Sequence, residues 1–384
     1  MKRALIKWAT AVLLLLASIF ALSFLKNDEY VSEYVFARGV SREYLKAVST
    51  LTSLLPFSLY EALATAAVVG AIVFLVGLIK RLKRKQYALA VKKTLSVAAL
   101  ALCFILLYNA TASFSYGRSP MSLEIGRQKP DAGQVYDAAL YFMQDFNELG
   151  QSFERDGEGN IIPPYSFSKL SDVIREEFSR LDGDYFGPAL KAKPMLYSKL
   201  MSYLGFSGIF MSITAEPNIN ADIPPSQLPL VMAHEMAHSA GVMREGDANL
   251  LSYFLLLSSR DGYLRYSAYM STFGQMLTAV YHACGQQNMD ELNAIYSPLI
   301  RKESSNNRQY WIRHENFTNT ISDFFNDLYL KLSGVKSGTG SYTEPGEWEV
   351  IDTGEEDEEG NPIFEIYYSD IQYIYFDIYR KLSI

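Results

Sequence analysis

Cysteine is nearly absent from this 384-residue chain, which holds two, Cys103 and Cys284. One lies in a long apolar run and the other in the polar remainder, so a disulfide-stapled scaffold is excluded. A chain of this length needs none, because it can bury a large core. Uncharged apolar runs are missing after Ala112. Basic residues are scarce over the same stretch: 14 of the 35 Lys and Arg but only 5 of the 42 Asp and Glu lie in the first 112 residues, leaving 21 bases against 37 acids, a net charge of −16. Such a field repels polyanions and argues against nucleic acid as a partner. Histidine is also rare, at four.

What is present divides the chain in two. Residues 8–25 (WATAVLLLLASIFALSFL), 62–79 (ALATAAVVGAIVFLVGLI) and 94–112 (TLSVAALALCFILLYNATA) are each long enough to cross ~30 Å of hydrocarbon as a helix. The sequence therefore predicts a membrane region, residues 1–112, and a soluble domain, residues 113–384. Lys80, Arg81, Lys83, Arg84, Lys85, Lys92 and Lys93 crowd the second connection without an acid among them. The positive-inside rule places that connection and the N-terminus in the cytoplasm. The first connection, with four bases and five acids, and the soluble domain then lie outside the cell. Ala21-Leu22-Ser23 would also serve as a signal-peptide cleavage site, which would remove the first span and leave the domain facing the same way. Ala66 and Gly70 form a small-xxx-small pair on the second span, a spacing that chance often produces.

The soluble part reads as mainly α with a small β-sheet. Helical spacing of apolar residues marks residues 135–149, 170–180, 189–204, 229–240, 245–259, 263–283, 289–300 and 316–332. Residues 207–213 (SGIFMSI), short and apolar between Gly205 and Glu216-Pro217, read as a strand. No internal repeat is present. Residues 334–370 are Gly-rich and acidic and read as a solvated insertion ahead of a last helix or strand; they lack the Asp-x-Asp-x-Asn-Gly periodicity of a calcium loop.

Two of the four histidines, His234 and His238, stand four residues apart in HEMAH. On a helix they share one face and can present their imidazoles to one metal ion. Two imidazoles and a third ligand leave a zinc ion the open position that a catalytic site needs. Glu235 sits beside them, placed to take a proton from the attacking water and pass it to a leaving amine. Gly241 ends the helix three residues after His238, and the first turn of the returning helix offers two carboxylates, Glu245 and Asp247, which face different ways. The longer side chain of Glu245 suits the reach across the turn, with Asp247 the alternative third ligand. His282 and His314 have no ligand-spaced partner and read as ordinary helix positions.

HEMAH followed by REGDAN resembles the zinc-peptidase arrangement in which a Glu of a Glu-x-x-Ala-Asp/Asn segment completes the site, as in the gluzincin membrane peptidases, although the spacing here is shorter. The chain is also similar to an uncharacterised bacterial family in which short spans precede a zincin-like domain. The likeness rests on AEPNINADIPPSQLPLVMAHEMAHSAGVMREGDANLLSYF, RYSAYM and NDLYLKLSGVKSGTGSY. It implies a peptidase fold with one zinc ion per chain and Asn249 in hydrogen-bonding support of a zinc histidine. It further implies that the strand at residues 208–213 is an edge on which a peptide substrate adds. Zincins often add a Tyr, His or Arg near the open zinc position, for which Arg265, Tyr266 and Tyr342 are candidates.

Two functions follow as expectations. One is a membrane-anchored zinc metallopeptidase acting on peptides or proteins outside the cytoplasm and, since HEMAH lies over 100 residues beyond the last span, outside the bilayer. The other is a catalytically silent zincin-like sensor or binding module. A bilayer partner is common to both. A channel is disfavoured, because three spans without charged residues offer no polar path.

Overall fold

The computed structural model describes residues 1–332, 349–356 and 362–382. Helix α1 (Lys2–Leu25) leads through a π-helical stretch, Val31–Ser41, into α2 (Arg42–Thr52). α3 (Leu59–Lys83) and α4 (Tyr87–Thr111) form a hairpin whose basic bend lies at the end opposite their anchorage on the globular part. α1 and α3 both pack on α4. These three helices are long and apolar enough to cross a membrane and contain the three apolar runs of the sequence almost to the residue. Their side chains are largely exposed, as expected of helices whose solvent is lipid.

Beyond a short 3₁₀ turn come α5 (Ala132–Ser152), α6 (Phe167–Phe178), the two-residue strand β1 (Lys193–Pro194), α7 (Ser198–Tyr203), β2 (Gly208–Met211), β3 (Glu216–Ile219) and α8 (Leu228–Ser239). α9 (Glu245–Leu257), α10 (Gly262–Cys284), α11 (Gln286–Ile295), α12 (Pro298–His314) and α13 (Phe317–Leu332) follow, then the hairpin β4 (Glu349–Glu356) and β5 (Pro362–Tyr367), and α14 (Asp370–Leu382). The molecule is mainly α with small sheets. Local chemistry starts the helices: Asp131 and Gln134 close a capping box on α5, Pro229 opens α8, and Asp261 accepts from the first amides of α10.

The core forms where α10 lies along α5, with α8, α9 and α14 around them. Phe142, Phe146, Tyr269 and Tyr375 meet there at ring-centroid distances of 4.9–6.2 Å. α9 is apolar nearly all round because it is buried nearly all round. The sheet runs β1-β3-β2, with β1 parallel and β2 antiparallel to β3, which leaves β2 at an edge.

Two expectations need correction. Residues 189–204 do not continue as helix: residues 193–194 extend and pair with β3, and the helix is confined to α7. Pro194 is one reason, since it disfavours helix at the residue before it. The helix expected at residues 289–300 is split at Ser297-Pro298 into α11 and α12, the second running on to His314. The connection between the first two spans packs on the globular part. Leu45 joins a buried cluster with Ala112, Leu190, Phe210 and Met243. Arg118 places both Nε and Nη2 on the Glu33 carboxylate at 2.8 and 2.9 Å, and its guanidinium lies 3.8 Å from the centre of the Tyr185 ring.

Candidate metal centre

HEMAH occupies the last two turns of α8, and Glu245 the first turn of α9. Between them the chain makes a tight reversal. Gly241 has φ +93°, its amide bonds to the His238 carbonyl, and the Val242 amide bonds to the Ala237 carbonyl at 3.1 Å. This is the Schellman ending, which a residue without Cβ adopts at least cost. The reversal sends α9 back along α8 and carries Glu245 to the histidine face. It also aims the Val242 carbonyl at His238 Nδ1, 2.8 Å away. A carbonyl only accepts, so Nδ1 carries the proton and Nε2 keeps its lone pair for a metal.

His234 Nε2, His238 Nε2 and a Glu245 carboxylate oxygen converge. His234 Nε2 lies 3.1 Å from Glu245 Oε2 and 3.1 Å from His238 Nε2, and His238 Nε2 lies 3.4 Å from Glu245 Oε2. Ligands held at about 2.0–2.1 Å on the corners of a tetrahedron stand roughly 3.3–3.4 Å apart, so the three atoms already mark one face of a zinc tetrahedron. Among the described residues these are the His, Cys, Asp and Glu side chains that cluster closely enough for a metal ion. The donor set, two imidazoles and one carboxylate, fits zinc with one corner left for a reactant.

Electrostatics agree with a cation site. Burial disfavours a charged Glu245, but the two imidazoles outweigh it and hold the carboxyl well below its ordinary range. Burial likewise opposes a charged His238, and Glu245 pushes that imidazole up to about 9. The pocket favours one positive charge shared between the imidazoles and the carboxylate, the place a divalent cation would take.

Glu235 is buried behind the histidines and belongs to none of these contacts. Burial raises its carboxyl, the two imidazoles and a hydrogen bond with the Phe210 backbone pulling the other way. Gly208 gives it room: a Cβ there would stand 2.6 Å from Glu235 Cγ. All four side chains open into a cavity of about 330 Å³. Its other walls are β2, Phe206, Ser212 and Met243, and also Tyr108 and Ala112 at the end of α4, with Tyr116 just beyond.

Asp247, Arg265 and Tyr266 fall elsewhere. Asp247 is turned away from the histidines, and its carboxylate accepts from the Met121 amide at 3.5 Å. Asn249 is half-buried one turn after Glu245. Arg265 grips Asp145 at 3.0 and 3.2 Å, and Tyr266 donates to Glu303 at 2.6 Å beside Arg155. Neither residue lines the cavity. Tyr342 lies outside the described residues, and the described parts of the acidic insertion, residues 349–356 and 362–367, form the hairpin β4–β5. His314 bonds to the Tyr310 carbonyl on its own helix. The cavity hydroxyls of Tyr108, Tyr116 and Ser212 were not singled out from sequence, because nothing local announces that a span end and a distant strand meet.

Compared with known proteins, residues 36–347 match the family described as protein of unknown function DUF3810, and the chain belongs to that family. The matched region spans the second and third apolar helices together with most of the globular part. No curated protein matches the chain, and no solved structure matches it.

Proposed function

We propose that this DUF3810 protein is a membrane-anchored zinc metallopeptidase that hydrolyses peptide bonds outside the cytoplasm. The observation that carries the reading is the convergence of His234, His238 and Glu245 at zinc-ligand spacing, with Glu235 buried beside them on the wall of one cavity. Zinc held there would polarise a carbonyl and make water a nucleophile near neutral pH. Glu235 takes a proton from the attacking water as its oxygen bonds to the carbonyl carbon. The carbon–nitrogen bond then breaks, and Glu235 returns the proton to the leaving amine. The edge strand β2 supports the same reading, since an extended peptide can pair with it and lie across the cavity. The outward location rests on the basic hairpin between α3 and α4, at the end of the spans opposite the globular part.

The test uses the full chain purified in detergent. Metal content should be about one zinc per chain in the wild type and in Glu235→Gln, and should fall in His234→Ala and Glu245→Ala. Hydrolysis of a mixed library of quenched fluorescent peptides should be present in the wild type and lost in all three variants. A zinc-loaded wild type that cleaves no peptide faster than Glu235→Gln would point instead to a silent sensor.

A further inference from the structure

The cavity at the candidate metal centre reaches the end of the last span. Tyr108 and Ala112, in the last turn of α4 and just after it, form part of its wall. A sequence separation of more than 100 residues between the last span and HEMAH thus disappears on folding.

The contact is built to be stiff. Glu216, on β3, accepts from the Leu59 and Tyr60 amides at 3.1 and 2.9 Å, and Ser58 caps Glu61, so the first three amides of span α3 are satisfied, two of them by the sheet. In return the Glu61 carboxylate accepts from the Leu196 and Tyr197 amides at 2.7 and 2.9 Å. Thr111 at the end of α4 meets Ser212 Oγ at 3.3 Å, and Tyr44 donates to the Ile213 carbonyl at 2.7 Å. The sheet whose edge strand walls the cavity is therefore fastened, through β3 and the turn after β2, to the ends of two spans. Around those ends the surface is apolar: Leu196 is 81% exposed, Leu54 79% and Leu200 55%. Side chains of this kind beside a span end belong in the bilayer interface rather than in water.

The headgroup layer beyond the hydrocarbon is about 5–8 Å deep on each side. A cavity walled by the last turn of a span lies at that layer. We infer that the substrate is itself membrane-anchored, and that the bond cut lies in the extended segment immediately outside its anchor, which enters along β2 from the lipid side. This rests on the peptidase reading above and names its substrate class.

Spacer length tests it. Full-length protein loaded with zinc is placed in vesicles of phosphatidylethanolamine and phosphatidylglycerol. One randomised octapeptide library is presented free, attached to a palmitoyl anchor through two to four residues, or attached through twenty Gly/Ser residues. Four residues reach at most roughly 14 Å and twenty roughly 70 Å. The expected result is cleavage of the short-spacer library at least tenfold faster than of the free or long-spacer library. Tethering alone cannot produce that order, because a distant site would refuse the short spacer. Faster cleavage of the long-spacer library, or equal cleavage of the free one, would overturn the membrane-proximal substrate while leaving the peptidase standing. Absence of cleavage in all three, matching Glu235→Gln, would overturn the peptidase reading and this inference with it.

Discussion

Glu235 and Gly208 act as a pair, although they come from a helix and a strand 27 positions apart in sequence. The carboxylate can stand behind the histidines because the strand beside it carries no side chain at that point. If the proposed function holds, Gly208→Ala should leave the three candidate zinc ligands in place yet displace the carboxylate. We expect near-wild-type zinc content with peptide hydrolysis reduced on the order of 100-fold, the usual cost of moving a reacting group by about an ångström. Measuring zinc and turnover on the same sample checks this, and unchanged turnover would remove Glu235 from the role of base.

At the scale of elements, the reversal between α8 and α9 decides whether a third ligand exists. Gly241 holds φ +93°, and a Cβ there would also stand 3.0 Å from Arg118 Nη1. Gly241→Ala adds a left-handed strain of about 1–2 kcal/mol and crowds the guanidinium that bonds to the Gly241 carbonyl at 2.9 Å. If the turn relaxes, Glu245 moves off the histidine face, and zinc should bind about tenfold more weakly by competition with a chromophoric chelator. The junction of β3 with α3 is the second decisive element. Glu216 is buried, with Lys193 at 2.7 Å and two helix amides on its oxygens. Glu216→Ala leaves the Lys193 ammonium without its carboxylate and the first two amides of α3 without their acceptor. A loss of about 3 kcal/mol is expected in denaturant unfolding in detergent, partly recovered when Lys193 is also replaced by Met. A loss below about 0.5 kcal/mol would mean the junction is not a fastening.

For the whole molecule, residues 26–58 matter more than their place between two spans suggests. Leu45, with Tyr44 and Val48 beside it, completes a cluster that includes Phe210 of the edge strand and Met243 of the metal turn. The Glu33–Arg118 pair, nearly inaccessible on both sides, ties the same segment to the Gly241 turn. A fragment beginning at Ser113 would expose that cluster and leave Arg118 without its carboxylate. It should melt well below the full chain and bind zinc more weakly, by thermal unfolding with and without added zinc. Equal melting temperatures would make residues 113–384 a self-sufficient domain.

Sequence by itself determined what depends on local pattern. The three spans, the run from α8 to α10, and His234 and His238 on one helical face follow from hydrophobic runs, helical period and spacing, all set within a few turns of chain. Gly241 was legible as a stop for the same reason. Tertiary structure decided what depends on residues far apart. It chose Glu245 over Asp247 by fixing the angle at which α9 returns, and it committed Arg265 and Tyr266 to Asp145 and Glu303. It turned residues 193–194 into strand, where pairing with β3 outweighs weak helix propensity. It also brought the end of α4 to the candidate metal centre, since two segments with no shared local signal meet only when the burial of both is satisfied together.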